Sequence, residues 1–359
     1  MVDSRPRGLT SVPNGAAVSP LARPATDGGT PPPARPRDRR DWPMLSPRLA
    51  FLLRRLGRLA VSLAVVVVAT FLIVHLVPGD PVRAALGPSA TPELVAATRA
   101  ELGLDQPLLQ QFTDYVAGLL RGDFGVSIRT QRPVGETIAQ RFPSTLTLAV
   151  LAFVVTVVGA LPIGVAAAIS ARSGRHGVVD GVVSSVLGML IAIPSFLLAV
   201  GMIAVFSVSL GLLPVAGWGD PQHLVLPVLT LALGPMAYLA RIVQVEMFTV
   251  LDSTYMTTAR SKRLPARLVY LRHALPNIVT ASLTVGGLIL SGLTAATVLV
   301  EMVFAIPGLG EVTVAAVGGK DYPMIQGVVL VYALTVLGVN LVVDLILITV
   351  DPRSSIAEG

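Results

Sequence analysis

The chain has 359 residues, a length that would ordinarily correspond to two soluble domains. Apolar residues of the AVILMFWYC class make up 53% of it and charged residues only 13%, with a mean hydropathy of +0.74, so too little polar surface exists to cover soluble domains. The 27 lysines and arginines against 21 acids give a net charge of +6, which suits a polytopic membrane protein with cationic cytoplasmic loops and requires no nucleic-acid partner.

Residues 1–47 form a tail rich in proline and arginine. They hold 10 of the 28 prolines and have too few apolar side chains to offset the entropy of ordering the chain. We predict a disordered cytoplasmic tail without a specific role. The alternatives are a transit peptide or an arm that contacts lipid.

Six apolar stretches are long enough to cross about 30 Å of hydrocarbon as helices. Pro194 lies inside the third stretch, which is also the longest, so we expect that span to be tilted or broken there. The predicted spans are 59–77, 144–169, 179–210, 224–245, 276–300 and 325–350.

The positions of the cations predict the orientation in the membrane. Eleven arginines precede the first span, and the connection 251–275 carries five cations, whereas the connection 211–223 carries none. Because cytoplasmic loops retain Lys and Arg, we predict a multi-pass protein of the cell (inner or plasma) membrane with both termini in the cytoplasm. The long segment 78–143 is then extracytoplasmic.

The extracytoplasmic segment carries the signals of two short helices. Thr91-Pro92-Glu93 is typical of a helix start, and Gly103 of a stop. A second helix is predicted from Pro107 to Arg121 with its apolar residues on one face. We expect this helix to pack on the spans, the alternative being a position along the membrane surface.

Several kinds of chemistry are excluded. Neither Lys262 nor Lys320 is followed by Ser or Thr, so the chain has no P-loop for ATP. No HExxH or GxSxG motif occurs, and the chain has no cysteine and only four scattered histidines. We therefore predict no catalytic residues, no metal site, no cofactor site and no enzyme activity in this chain.

The cytoplasmic connection 251–275 is the most distinctive segment. Its sequence predicts a short helix from Ser253 to Lys262, a break at 263–265, and a second helix that starts with Pro265 and runs to the membrane. A short helix held between two rigid spans would act as a lever on both. The alternative is an ordinary basic cytoplasmic loop.

This connection resembles the EAA-type coupling loop of ABC importer permeases, and more narrowly that of dipeptide, oligopeptide and nickel permeases of the DppB/OppB type. The residues that carry the resemblance are Tyr255, Thr258-Ala259-Arg260-Ser261-Lys262 and Arg272-His273-Ala274-Leu275-Pro276-Asn277.

Further landmarks of that family occur in the same order along the chain. They are His75 with Pro78-Gly79-Asp80-Pro81, Leu102-Gly103-Leu104-Asp105-Gln106-Pro107, Gly122-Asp123-Phe124-Gly125 with Ser127, Arg141-Phe142-Pro143-Ser144-Thr145-Leu146, Glu301 to Phe304 with Pro307-Gly308-Leu309-Gly310, Asp321-Tyr322-Pro323, and Asn340, Asp344 and Asp351-Pro352-Arg353.

The resemblance implies an all-α protein with six transmembrane helices in the type I ABC importer permease fold, with short extracytoplasmic helices between spans 1 and 2. It divides the chain into the tail 1–47, a transmembrane permease domain 48–353 and a C-terminal tail 354–359. It also implies a heterodimer with a second permease, two cytoplasmic ATPase subunits that bind ATP and Mg, and an extracytoplasmic solute-binding protein. The cargo would be a dipeptide, an oligopeptide, a nickel complex or a related small solute.

The resemblance assigns the contact with the ATPase to one set of residues. Arg263 stands where the family usually has Gly, and Thr254 where it usually has an acid. The predicted coupling residues are Tyr255, Thr258, Ala259, Arg260, Ser261, Lys262, Arg263 and Leu264.

Three polar residues in the last two spans or at their ends are candidates for the translocation pathway or for contacts between subunits. They are Glu301, Asn340 and Asp344. Gly287, Ser291 and Ala295 form a small-residue stripe that would let another helix approach closely.

Two other functions are compatible with a polytopic chain. An ion-gradient-driven secondary transporter could use Glu301 or Asp344 as a proton relay, although no internal inverted repeat is visible. A membrane-embedded enzyme would need a nucleophile or a metal cluster, which the sequence lacks.

Overall fold

A computed structural model describes residues 47–76, 80–173, 177–254, 256, 261 and 268–350. The predicted tail 1–47 therefore lies almost entirely outside the described residues. The described part is helical except for turns and one isolated bridge between Val126 and Pro133. Its helices are α1 Pro47–Leu76, α2 Pro81–Leu86, α3 Pro92–Glu101, α4 Leu108–Leu120, α5 Val134–Ser173, α6 Gly177–Ala192, α7 Ser195–Met202, α8 Pro221–Asp252, α9 Leu275–Val303, α10 Leu309–Gly318 and α11 Tyr322–Val350.

Five stretches of helix are long and apolar enough to cross a membrane. They are Leu53–Leu76, Val134–Arg172, Pro221–Asp252, Ser282–Val303 and Tyr322–Ile346. The pair Asp180–Ala192 and Ser195–Ser209 provides a sixth span if it is counted as one broken crossing. The prediction of an all-α polytopic protein with six spans is confirmed.

The sixth span is bent at Pro194. Its two halves meet at 107°, and Pro194 itself is extended, with φ −58° and ψ 139°. A proline has no backbone N–H to continue the helix and pushes the preceding residue away from helical angles. The second half continues beyond α7 as the π-helical segment Ile203–Ser209, and a similar segment, Val269–Ala274, leads into α9.

Helix α5 begins ten residues earlier than the predicted span, which started at residue 144. The helix starts at Val134, so that the last residues of the predicted extracytoplasmic segment 78–143 are helical. Pro143 removes one hydrogen bond inside the helix. Val134 and Ile138 compensate by burying their side chains in a cluster with Leu309 and Val328.

The short helices between spans 1 and 2 follow their sequence signals. The Thr91 hydroxyl accepts the backbone N–H of Leu94 at 3.3 Å and caps α3. The chain turns at Gly103 with φ +66°, a conformation that glycine adopts without strain. Helix α4 packs on α1 through Phe71 and Phe112, whose ring centroids are 5.2 Å apart and edge to face. These helices confirm the prediction for the connection between spans 1 and 2.

Helix α8 lies at the centre of the described helices. Half of its apolar stretch is buried, compared with 17% for α1 and 6% for α11. It packs closely on α5 at Gly164, where an added Cβ would lie 2.5 Å from the carbonyl oxygen of Ala240. The outer helices α1 and α11 therefore leave most of their apolar surface for lipid or for another subunit.

Candidate functional site

Most of the predicted coupling residues fall outside the described residues. These are Tyr255, Thr258, Ala259, Arg260, Lys262, Arg263 and Leu264. Ser261 is described and its side chain is exposed.

The two ends of the connection 251–275 share one hydrophobic cluster. Leu251 and Met256, on the α8 side, are 1% and 0% exposed. They belong to the same cluster as Ala274 and Ile278 on the α9 side and Ala168 of α5. A displacement of the connection would therefore act on α5, α8 and α9 together, because packed side chains transmit strain.

Two of the quoted motifs meet at Asp321. The buried carboxylate accepts the hydroxyl of Ser127 and the backbone N–H groups of Ile128 and Arg129, the latter two at 3.2 and 3.5 Å. Ser127 and Asp321 are 0% and 2% exposed. This cradle fixes the loop before α5 to the start of α11, although the two motifs lie almost 200 residues apart in the sequence.

Glu301 caps the N-terminus of α10. Its Oε2 accepts the backbone N–H of Gly310 at 2.6 Å, and the hydroxyl of Thr145 accepts that of Leu309 at 2.8 Å. Both donors lie in the first turn of α10, where N–H groups lack partners within the helix and a negative charge is favourable. Glu301 is 0% exposed. A role for Glu301 in the pathway or between subunits stays a prediction.

Asn340 and Asp344 contact other helices of the same chain. Ser291 donates a hydrogen bond to Asn340 Oδ1 at 3.2 Å. Asp344 forms an ion pair with Arg55, which joins α11 to α1. An added Cβ at Gly287 would lie 2.8 Å from Val343, so α9 and α11 approach closely at this member of the small-residue stripe. A role for Asn340 or Asp344 in the pathway or between subunits stays a prediction.

A cavity of about 390 Å³ lies between the end of α1, the helices α3 and α4, and the start of α11. His75 lies in its wall, with Nδ1 3.1 Å from the carbonyl oxygen of Phe71 and Nε2 3.1 Å from Oε1 of Gln111. Gln111 in turn donates to the carbonyl of Gln106 at 2.7 Å. Burial raises the pKa of Tyr115, whose hydroxyl lies 3.1 Å from that of Thr70.

Asp80 ties α2 to α3 beside this cavity. Its carboxylate accepts the backbone N–H of Val82 at 3.0 Å and the guanidinium of Arg99 at 2.6 Å. Burial by itself raises the pKa of Asp80, but hydrogen bonds from the backbone of Arg83, from Arg99 and from Val82 together hold it below its ordinary value.

Among the charged residues of the spans, sequence reasoning missed Arg241 of α8. The predicted span ended at residue 245, which placed Arg241 beside the cytoplasmic end. The helix instead runs to Asp252, and the side chain of Arg241 is exposed along it. An arginine within a long apolar run is the signal that could have identified it.

Comparison with known proteins agrees with the motifs. Residues 160–356 match the family described as binding-protein-dependent transport system inner membrane component, and residues 48–149 match the N-terminal family of such membrane components. The chain is 40% identical over 304 residues to the glutathione transport system permease protein GsiC of Salmonella choleraesuis (strain SC-B67), and 39% identical over 304 residues to GsiC of Escherichia coli (strain K12). Each comparison covers 85% of this chain and 98% of the relative.

These matches extend over most of the membrane domain and confirm the type I permease fold. They support an importer driven by separate ATPase subunits and supplied by a binding protein, and they do not support a secondary transporter or an enzyme. The chain is thus a multi-pass inner-membrane protein that belongs to the binding-protein-dependent transport family, as a permease subunit of an ABC importer.

Proposed function

We propose that this permease forms half of a translocation pathway for a short peptide of the glutathione type. Support for the cargo comes from the relatives that match over 98% of their length, which are glutathione transport system permeases. A second, homologous permease would complete the pathway as a heterodimer, with both termini of this chain in the cytoplasm.

The observation that carries the mechanism is the shared cluster at the two ends of the cytoplasmic connection. Met256 and Ala274 lie on opposite sides of the connection, and both are completely buried in this cluster. Closure of two ATPase subunits around ATP and Mg would push on residues 255–264, and the cluster would carry that motion into α5, α8 and α9. Alternation between outward-open and inward-open states would follow from this motion.

The experiment is transport by the complete importer in liposomes. The chain would be reconstituted with its partner permease, ATPase subunits and binding protein, and uptake of labelled glutathione would be followed with ATP enclosed. We expect uptake that depends on ATP and survives ionophores that collapse ion gradients. ATPase subunits that cannot hydrolyse ATP are the control.

Two results would contradict different parts of the proposal. Uptake that requires an ion gradient and no ATPase would refute the mechanism. ATP-dependent uptake of dipeptides or of a nickel complex, without uptake of glutathione, would refute the cargo and leave the mechanism intact.

A further inference from the structure

One strip of α8 stays open although this helix is the most enclosed of the spans. Tyr238 and Val245 on the strip are 47% and 59% exposed, and Arg241 and Thr249 are also exposed. Spacings of three, four and four residues place these side chains on one face of a helix.

The composition of this strip differs from that of the apolar part of the open face of α1. The open face of α1 carries Val61, Val65, Val68 and Leu72, all between 41% and 65% exposed. Such faces suit lipid tails. The strip of α8 instead contains a phenol and a guanidinium, groups that require water or polar partners, whereas the Thr249 hydroxyl already donates to the carbonyl oxygen of Val245 at 3.2 Å. The α8 strip therefore faces an aqueous or polar space in the assembled protein.

Arg241 lies deep along this strip. It precedes the last residue of α8, Asp252, by 11 residues, and it lies roughly 7 Å from the middle of the helix at about 1.5 Å per residue. A guanidinium keeps its charge in proteins, so it cannot escape the cost of burial by losing a proton.

Within the described part of the chain no carboxylate neutralises Arg241. The acid nearest to it along α8, Glu246, is half-buried and five residues away, off the strip. Asp252 pairs with Arg172 at 2.7 Å, and Asp344 pairs with Arg55. A cation without a carboxylate partner at this position is satisfied by water or by an anion from outside the described chain.

We propose that Arg241 lines the translocation pathway and binds the C-terminal carboxylate of the transported peptide. The inference rests on the proposed function, because that function supplies a solute with a carboxylate. A guanidinium offers two parallel N–H donors that match a carboxylate. Tyr238, one turn away, can donate a further hydrogen bond. An arginine that holds the solute during passage would favour anionic peptides over their amides.

The test compares two solutes in two proteins. Uptake of glutathione and of its C-terminal amide would be measured in liposomes containing the complete importer, with wild-type chain or Arg241→Gln. For each importer, uptake of the acid is divided by uptake of the amide, and the two quotients are compared. Discrimination between the solutes by the binding protein is the same in both importers, so it cancels in this comparison. We expect Arg241→Gln to lower uptake of the acid by at least about tenfold more than uptake of the amide, since a hydrogen bond to a charged group contributes that much. Arg241→Lys, which keeps the charge without the planar fork, should show an intermediate ratio.

Arg172→Gln is the matched control. It removes an arginine that is paired with Asp252 at the end of α8, and it should change uptake of both solutes by the same factor.

An equal loss of both solutes in Arg241→Gln would overturn the proposal. Failure of Arg241→Gln and Arg241→Lys to assemble with the partner permease would overturn it as well, because Arg241 would then be a residue of the subunit interface. If the wild-type importer takes up neither solute, the proposed peptide cargo is wrong. If uptake is normal but Arg241→Gln leaves the acid-to-amide uptake ratio unchanged, the cargo stands and the role of Arg241 is wrong.

Discussion

Two ionisable side chains among the spans have opposite fates. Glu301 is completely buried against the first turn of α10, whereas Arg241 is exposed on α8. The rule that ionisable groups at membrane depth are functional applies to both, although sequence analysis singled out only Glu301. Burial separates them: the carboxylate stabilises the fold, and the guanidinium remains available to a solute.

Asp321→Asn should release the loop before α5. An amide in place of the carboxylate weakens hydrogen bonds from Ser127, Ile128 and Arg129, and bonds to a charged group contribute about 1.5 to 3 kcal/mol each. We expect trypsin to cleave after Arg129 about tenfold faster or more. Asp123→Asn is the control, since Asp123 accepts the local backbone N–H of Gly125 at 2.9 Å. Equal cleavage in both variants would show that the Asp321 cradle does not hold the loop.

Asp80 makes the link between α2 and α3 sensitive to acid. Its pKa is lowered in the folded protein, so its stabilising contribution is complete above the ordinary value of about 3.9 and is lost as the pH falls through the lower folded value. Because the chain has no cysteine, a spin label attached at Ser89→Cys would report this segment alone. We expect the label to become mobile only below about pH 4. In Asp80→Asn the label should be mobile at every pH, and a transition that persists in this variant would exclude Asp80 as its cause.

Among the elements, α5 and α8 depend on close backbone contact. At Gly164 an added Cβ would lie 2.5 Å from the carbonyl oxygen of Ala240 and 2.6 Å from Cβ of Val243. At Gly159 the added atom would overlap Sδ of Met236 and lie 3.3 Å from its Cγ, both in a flexible side chain that can move aside. The two glycines therefore form a matched pair on one helix.

Gly164→Ala should destabilise the protein by about 1 to 3 kcal/mol through overpacking, whereas Gly159→Ala should leave it nearly unchanged. Both substitutions raise helix propensity by the same amount, so the difference between them isolates packing. Thermal unfolding of the purified complex in detergent measures it. Equal stability of the two variants would contradict the rigid contact between α5 and α8.

The broken span shows how far an element can be predicted. Pro194 in a long apolar run predicts a break, since proline removes a backbone donor and restricts its predecessor. The angle of 107° between the two halves depends on the helices against which α6 and α7 pack. Leu187 of α6 packs in the cluster with Met247, and Ala199 of α7 in the cluster with Leu226.

At the scale of the whole molecule, the chain acts through contacts with other subunits. The family resemblance places the ATPase contact at residues 255–264, and the described flanks of that connection enter one buried cluster. A rigid path from an ATPase to α5, α8 and α9 is the property that such an importer requires.

Ala259→Asp should weaken binding of the ATPase subunits and abolish uptake while the chain still inserts in the membrane. The added carboxylate introduces an unpaired charge into the proposed contact. Copurification of the ATPase in detergent measures the first effect, and uptake in liposomes the second. Ser354→Asp, in the predicted C-terminal tail, adds the same charge and should leave both unchanged. Normal transport by Ala259→Asp would exclude the connection as the lever.

The sequence by itself determined the membrane class, the number of spans, the short helices between spans 1 and 2, and the absence of a P-loop. Each of these follows from local properties: the length of an apolar run, a capping residue such as Thr91, or a motif of adjacent residues. Only the tertiary structure decided which partners the polar residues have within the chain, because those partners come from distant segments. Thr145 and Glu301 meet at α10, Ser127 meets Asp321, and Arg55 meets Asp344. Arg241 has no such partner in the described chain, and its openness could be seen only once every neighbouring helix had a position.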